Sequence, residues 1–517
     1  MDILIKNALI FDGTGKSPLK ANVGVKDSKI VYIGKESFSA SRIIKADNLV
    51  LTPGFIDTHS HSDFTILADA RAEGKITQGI TTEINGNCGI SAFPLIGEVF
   101  ERRVLELSSF GLKGWTTLQD YIQLLKENKA SINLTFLCGH GNIRGAVVGY
   151  KNLKADKRQL SQMKKLLKKQ FSHKIRGLST GLIYPPGIFA DKDELVELNK
   201  VVRTFGGIYA THIRSEGEKL LSAIEEAIEI GKRAGVPIHI SHLKTSGSEN
   251  WWKIDAVLTM IESAKEEGMR VTADRYPYTA SATDLDVFLP SWILEGSREE
   301  IIGRLKLRDT RRKIKKYLQT RGRGFLERLL ISDVLFEGDK IFEGKRIGEI
   351  TDIENASDFI SDLLIRSSLQ VGAIYFGMSE ENLERILSKP YVMIGTDSSA
   401  RCSRGITAHG KPHPRGFGSF PRFLRRYVLE KNLISLEEAI KKITLLPART
   451  FKINKRGVIK EGYFADIVLF DPSELEDRAT FQEPFNISKG IKYVLVNGKI
   501  SVEEGVFNGN RNGEVLL

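Results

Sequence analysis

Six residues of metal-binding type punctuate the chain: the pair His59-x-His61, then Cys88, His212, His242 and Asp397. Imidazole and thiolate are zinc ligands, and an aspartate can act as a ligand or a proton acceptor. Each stands at or just past the end of a short apolar segment of β type. Side chains alternate along extended chain, so His59 and His61 point to the same side. A single histidine at a strand end is ordinarily structural. Six such groups, each at a strand end, predict one shared metal site. Its chemistry would be hydrolytic, because zinc polarises a carbonyl and brings bound water into the neutral range. There is no HExxH helix to suggest a zincin. Of the remaining candidates, His239 has the opposite parity to His242 and is expected to face a helix layer. His140 follows the third strand and borders the pocket. His173 is a surface residue, and His409 and His413 are candidate lid residues. Cys138 reads as a small buried apolar residue, and Cys402 lies in a loop.

These groups need a scaffold that gathers strand ends. Eight strands can be placed, at 54–59, 80–84, 134–138, 177–179, 207–212, 237–242, 270–274 and 391–397, with helical segments between them. Eight alternating units predict a (β/α)8 TIM-like barrel, whose chemistry sits at the C-terminal strand ends. No GxGxxG or GxxxxGK[ST] turn supports a doubly wound sheet instead. Leu220, Ile224, Ala227 and Ile228 share one helix face, which Gly235-Val236-Pro237 terminates. The gap between the seventh and eighth strands exceeds one crossover helix and predicts an inserted subdomain at 290–370. Both chain ends read as short strands and tight turns, Asn497-Gly498 among them. They are expected to join into one small β-sandwich domain, 1–53 with 452–517, around a barrel at 54–451.

The chain has 517 residues, with 76 basic and 64 acidic side chains, a net charge of +12. An apolar fraction of 41% with 27% charged residues describes a folded globular protein. No apolar run is long enough for a membrane helix, and the N-terminus does not read as a signal peptide. Three cysteines make no disulfide framework and point to a reducing, cytoplasmic setting. The positive excess sits in two stretches, 151–176 and 304–323. Neither has the interleaved aromatics or the metal spacing of a nucleic-acid module, so solvated helix faces are expected.

Several motifs resemble the amidohydrolase superfamily and, within it, the N-acyl-D-amino-acid deacylases (D-aminoacylases). The HxH strand is PGFIDTHSHSD, from Pro53 to Asp63. NGNCGIS, GLSTGLIYPPG, THIRSEG, SHLK, DRYPYTAS, IGTDSS and PHPRGFGSFPR follow in order, and ADIVLFDP and VLVNGK match the returning β domain. The resemblance implies zinc-dependent hydrolysis of N-acyl-D-amino acids to a carboxylate and a free D-amino acid. It implies a tight zinc on Cys88, His212 and His242, and a second, weaker site on His59, His61, Cys88 and Asp397. Asp397 would be general base and then acid. Lys244, Tyr276 and Arg415 would bind the substrate carboxylate, with Tyr184 in the pocket. Hydantoinases and dihydroorotases use a carboxylated lysine on the fourth strand, where this chain offers Ser179. The chain departs from the family at Ala282, where a serine is usual, and in the basic loop carrying Arg401 and Arg404. Both departures leave room for a more acidic substrate. The alternatives are a cysteine-type amidohydrolase acting on a cyclic amide or D-dipeptide-like compound, a non-catalytic scaffold and a nucleic-acid binder.

Overall fold

Segments such as Ile80-Thr81-Thr82-Glu83-Ile84 are rich in β-branched residues and pair in parallel where helices can cover them. In the computed structural model, which describes residues 1–517, eight such strands form the barrel. They are Phe55–Asp57, Ile80–Asn85, a third broken into Asn133–Phe136 and Cys138–Gly139, then Gly177–Gly181, Ile208–His212, Ile238–Ile240, Val271–Arg275 and Val392–Ile394. The first and eighth strands meet just beyond their ends, where Ser60 and Ser398 form a parallel bridge and the Asp397 N–H donates to the His59 carbonyl at 2.7 Å. Ile56, Ile84, Ala210 and Met393 pack inside the barrel against Ala448, Phe451 and Ile453, which close its N-terminal end. A larger apolar layer lies between the strands and the outer helices. The helix Leu220–Ala234 buries Leu220, Ile224 and Ala227 and stops at Gly235, whose φ of 69° suits a left-handed cap.

Both chain ends enter one nine-stranded sheet. Val50–Pro53 joins them, running parallel to Ile3–Ile10 and antiparallel to Ile467–Phe470. The boundary expected at 451/452 is less sharp in the structure. Ile453 belongs to the barrel plug, and Val515 bridges back to Leu134 on the third barrel strand.

The insert is wider than 290–370. Its antiparallel sheet is made of Ser281–Asp284, Val371–Tyr375 and Leu329–Val334, and it has its own apolar core. Its first strand begins at Ser281, the last residue of the DRYPYTAS motif, which was legible as a motif but not as the approach to a subdomain. Both basic stretches contain helices, Lys157–Phe171 and Arg308–Arg321. Acids partner several of their cations, as in Lys164 with Glu197, Arg311 with Asp358 and Asp362, and Lys315 with Glu354. No helix is long and apolar enough to cross a membrane.

Candidate active site and metal centre

The strand ends converge as a barrel requires. His59 Nε2 lies 3.2 Å from Cys88 Sγ, and Cys88 Sγ lies 3.4 Å from His242 Nε2. His61 Nε2 is 3.1 Å from Asp397 Oδ1, which is 3.5 Å from His59 Nε2. Ligand atoms of His59, Cys88, His242 and Asp397 all fall within 4.8 Å of one another. His212 sits edge-on to His242, with ring centroids 4.3 Å apart. Both of its ring nitrogens are buried without a hydrogen-bond partner. Such an orphaned imidazole beside a cysteine fits the donor set of a zinc ligand. Cys88, His242 and Asp397 have left-handed backbones, with φ of 51°, 37° and 50°. Strain of this kind in non-glycine residues gathers at functional sites.

The electrostatics follow from the crowding. Burial alone would raise the Cys88 thiol, but His59, His242 and His212 outweigh it and hold the sulfur well below its ordinary range. Burial opposes charge on His61 too, yet hydrogen bonds to Asp397 and Cys88 raise it to about 9. Burial would also raise Asp397, but Arg415, His59 and His242 keep its carboxyl well below the usual range. Burial opposes charge on His59 as well, but Asp274, Cys88 and Asp397 raise it well above its ordinary range.

A cavity of about 1280 Å³ opens over this cluster. Arg415 Nη1 is 2.8 Å from Asp397 Oδ2. The guanidinium lies over the Tyr276 ring, 4.6 Å from its centroid. The Tyr276 hydroxyl and Arg415 Nε are buried with no hydrogen-bond partner, so both are free to donate. Lys244 is paired with Glu216 and lies 2.8 Å from His242 Nδ1. Tyr184 stacks edge-on to His212, and its hydroxyl is 3.1 Å from the Thr283 hydroxyl. The insert's first strand is thus one wall of the cavity. At the departure noted in the sequence, Ala282 contributes its carbonyl, 3.4 Å from Arg415 Nη2. Of the two basic stretches, only Arg321 reaches this cavity with a cation.

Five assignments change or sharpen. His239 does not face the helices. It points into the barrel, 2.6 Å from Asp274 Oδ2. The parity argument failed because regular strand ends at Ile240 and the left-handed His242 breaks the alternation. Ser179 sits in Gly-Leu-Ser-Thr-Gly, the letters of a nucleophile elbow, but within a parallel strand. Its hydroxyl accepts the Gly89 N–H and donates to the Gly86 carbonyl, which ties down the Cys88 loop. His140 is fully buried, 2.8 Å from Glu194. His413 is buried against Tyr276 and Tyr278, while His409 pairs with Asp333 of the insert at 2.9 Å.

Sequence reading missed the residues behind the ligands. Asp274 is fully buried; its Oδ2 is 3.1 Å from His59 Nδ1, and its Oδ1 accepts the His242 N–H at 2.8 Å. Glu216 lies 2.9 Å from His242 Nδ1. Carboxylates in this position fix the tautomer and orientation of ligating histidines. An Asp in a strand and a Glu four residues past a histidine carry no signal until the fold brings them together. Asp274→Asn should weaken zinc binding by about 10- to 100-fold. Competition with a chelator measures this, and unchanged affinity would contradict the role.

The comparisons accord with this geometry. A family model described as "Amidohydrolase family" matches residues 42–312 and 368–502. The unmatched gap lies inside the insert. The chain is 33% identical over 516 residues to the D-aminoacylase of Alcaligenes xylosoxydans xylosoxydans, covering 100% of this chain and 97% of the relative. The chain belongs to the amidohydrolase family. An N-acyl-D-aspartate deacylase from the same organism is 34% identical, covering 100% of this chain and 95% of that one. The crystal structure of the N-acyl-D-glutamate deacylase from Bordetella bronchiseptica, complexed with zinc and a phosphonate mimic of the tetrahedral intermediate, superposes with a TM-score of 0.84. It is 31% identical, and the match covers 100% of this chain and 99% of that one. Within the family, the chain therefore groups with the D-aminoacylases and the deacylases of N-acyl-D-amino acids.

Proposed function

We propose that this protein hydrolyses the amide bond of N-acyl-D-amino acids, releasing a carboxylate and a free D-amino acid. The carrying observation is the pairing of two half-sites in one cavity. One is a thiolate–imidazole cluster with an ionised aspartate. The other is a set of buried, unpartnered donors of the kind that takes a carboxylate, Arg415 Nε and the Tyr276 hydroxyl. The full-length likeness to a D-aminoacylase and an N-acyl-D-aspartate deacylase supports the substrate class.

In this reading Cys88, His212 and His242 hold the tight zinc, while His59, His61, Cys88 and Asp397 form the weaker second site. Zinc supplies a Lewis acid for the amide carbonyl and for the attacking water. The chain's own residues do the rest. His242 turns Nε2 toward Cys88, while Glu216 and Lys244 hold its ring from the Nδ1 side. Arg415, Tyr276 and Lys244 fix the free carboxylate, which sets the amide against Asp397. Asp397, held ionised, accepts the water's proton and passes it to the leaving amine. Tyr184 borders the scissile region beside His212.

The test is a hydrolysis panel of N-acetyl-D- and L-amino acids, with hydantoin and dihydroorotate alongside. Release of free D-amino acids alone is expected. Ring opening alone, or equal release from L-substrates, would reject the reading. The panel should include acidic side chains. Arg401 borders the cavity, and its guanidinium donates only to the Thr407 and His409 carbonyls, leaving it free for a distal carboxylate.

Metal uptake should depend on pH with a defined sign. The His61 proton, with its pKa near 9, must leave before the ring can ligate. It competes strongly at neutral pH and weakly as pH rises through 9. The bound zinc ratio should therefore climb between about pH 6.5 and 9, through the second site. A ratio that stays flat or falls over that range would remove His61 from the ligand set. The three cysteines are free and buried, which supports a reducing, cytoplasmic setting.

A further inference from the structure

At the opposite end of the barrel lies a second cavity, of about 890 Å³, that shares no residue with the first. Lys174 and Arg176 reach it just ahead of the fourth barrel strand, and Gly206-Gly207 just ahead of the fifth. The remaining wall is the segment from Arg449 to Lys460, which follows the plug of the barrel floor. That segment carries five cations and no acid in twelve residues. In all, seven Lys and Arg side chains line the cavity and no Asp or Glu does. Leu517 also borders it.

Isolated lysines on a basic protein mean little. Here the distinguishing feature is the absence of acidic side chains from the lining. Elsewhere the basic stretches are laced with ion pairs, as with Arg311 and Lys315. Of the seven cations in this cavity, only Arg456 has a carboxylate within ion-pair distance, and its partners are Asp466 and Glu514. The other six come from two segments, Lys174 with Arg176 and the stretch from Arg449 to Lys460, which the fold brings to one concavity. Like charges facing one concavity repel one another and raise the local concentration of anions. The cavity also has a flat apolar edge. Phe171 and Phe205 stack at 4.8 Å, nearly parallel, and Phe205 is 48% exposed. A cationic floor beside an exposed ring suits a ligand with several phosphates and a planar base.

We infer that this cavity binds a phosphorylated small molecule of the nucleoside polyphosphate class, with its phosphates on the Arg449–Lys460 segment and its base against Phe205. The site is separate from the amide-hydrolysing centre and does not depend on that reading.

The test is calorimetric titration of the full-length, zinc-loaded protein with ATP as its magnesium complex, with inorganic tripolyphosphate and with adenosine. ATP should bind, more weakly as salt rises. Tripolyphosphate should compete with it, and adenosine alone should bind far more weakly. Arg449 and Lys455 are exposed and make no ion pair, so reversing both, Arg449→Glu with Lys455→Glu, leaves the fold intact. This variant should lose about 10-fold or more in ATP affinity while amide hydrolysis is unchanged. Phe205→Ala should weaken ATP but not tripolyphosphate. No heat with about 1 mM ATP at low salt, or wild-type ATP affinity in the double variant, would overturn the site. Equal loss of ATP and tripolyphosphate in Phe205→Ala would overturn the stacked base. A single-stranded oligonucleotide that binds more tightly than ATP, through the same cations, would overturn the small-molecule assignment.

Discussion

Asp397→Asn should lower turnover of N-acyl-D-amino acids by about two to four orders of magnitude, the usual contribution of a positioned general base. The amide keeps the size and most contacts of the carboxylate but cannot accept the water's proton. Zinc at the tight site should remain, because Cys88, His212 and His242 are untouched. The effect on KM is the sharper part. In the ligand-free structure Arg415 Nη1 is 2.8 Å from Asp397 Oδ2, so the catalytic carboxylate occupies the cation that the substrate carboxylate needs. Neutralising Asp397 removes that competitor. KM should therefore hold steady or fall while kcat collapses, a split that loss of folding would not produce. A kcat within about fivefold of wild type would refute the base assignment, and a large rise in KM would refute the competition.

The side chains that this prediction concerns were legible in the sequence for a chemical reason. Histidine, cysteine and aspartate at strand ends are unusual in composition, and a barrel collects strand ends by construction. The HxH pair, Cys88, His212, His242 and Asp397 could be named before any coordinates. What holds them was not legible. Asp274 touches His59, His239 and the His242 backbone at once, yet in sequence it is one more aspartate after a β-branched run. Its role exists only because three strands converge. His239 was placed on the wrong face because alternation was extended past the last regular residue of its strand. The insert's start was misjudged for a similar reason. Ser281 closes the preceding motif, and only the pairing of Ser281–Asp284 with Val371–Tyr375 assigns this strand to the subdomain.

Lys75 is the extreme case, and replacing it should have the largest effect on stability. In the sequence Lys75 is one lysine among many, in EGKITQG. In the structure it is fully buried, with Nζ donating to Asp57 at 2.8 Å, to the Thr396 hydroxyl at 2.7 Å and to the Ser398 carbonyl at 2.8 Å. Glu83 stands 3.4 Å away and accepts from the Ser60 and Ser62 hydroxyls. One ammonium thus joins the end of the first strand, which carries His59 and His61, to the two residues flanking Asp397. Lys75→Met would leave two buried carboxylates without a cation, at a cost of about 3–5 kcal/mol. The denaturant midpoint should fall accordingly. Turnover should fall in the fraction that remains folded, because Thr396 and Ser398 no longer fix the Asp397 backbone. Adding Asp57→Asn and Glu83→Gln to Lys75→Met separates the two effects. The added amides remove the stranded charges, so stability should recover in part while kcat stays low. A full recovery of both would show that Lys75 acts through charge balance alone. An unchanged midpoint in Lys75→Met would show that it is not buried among these groups at all.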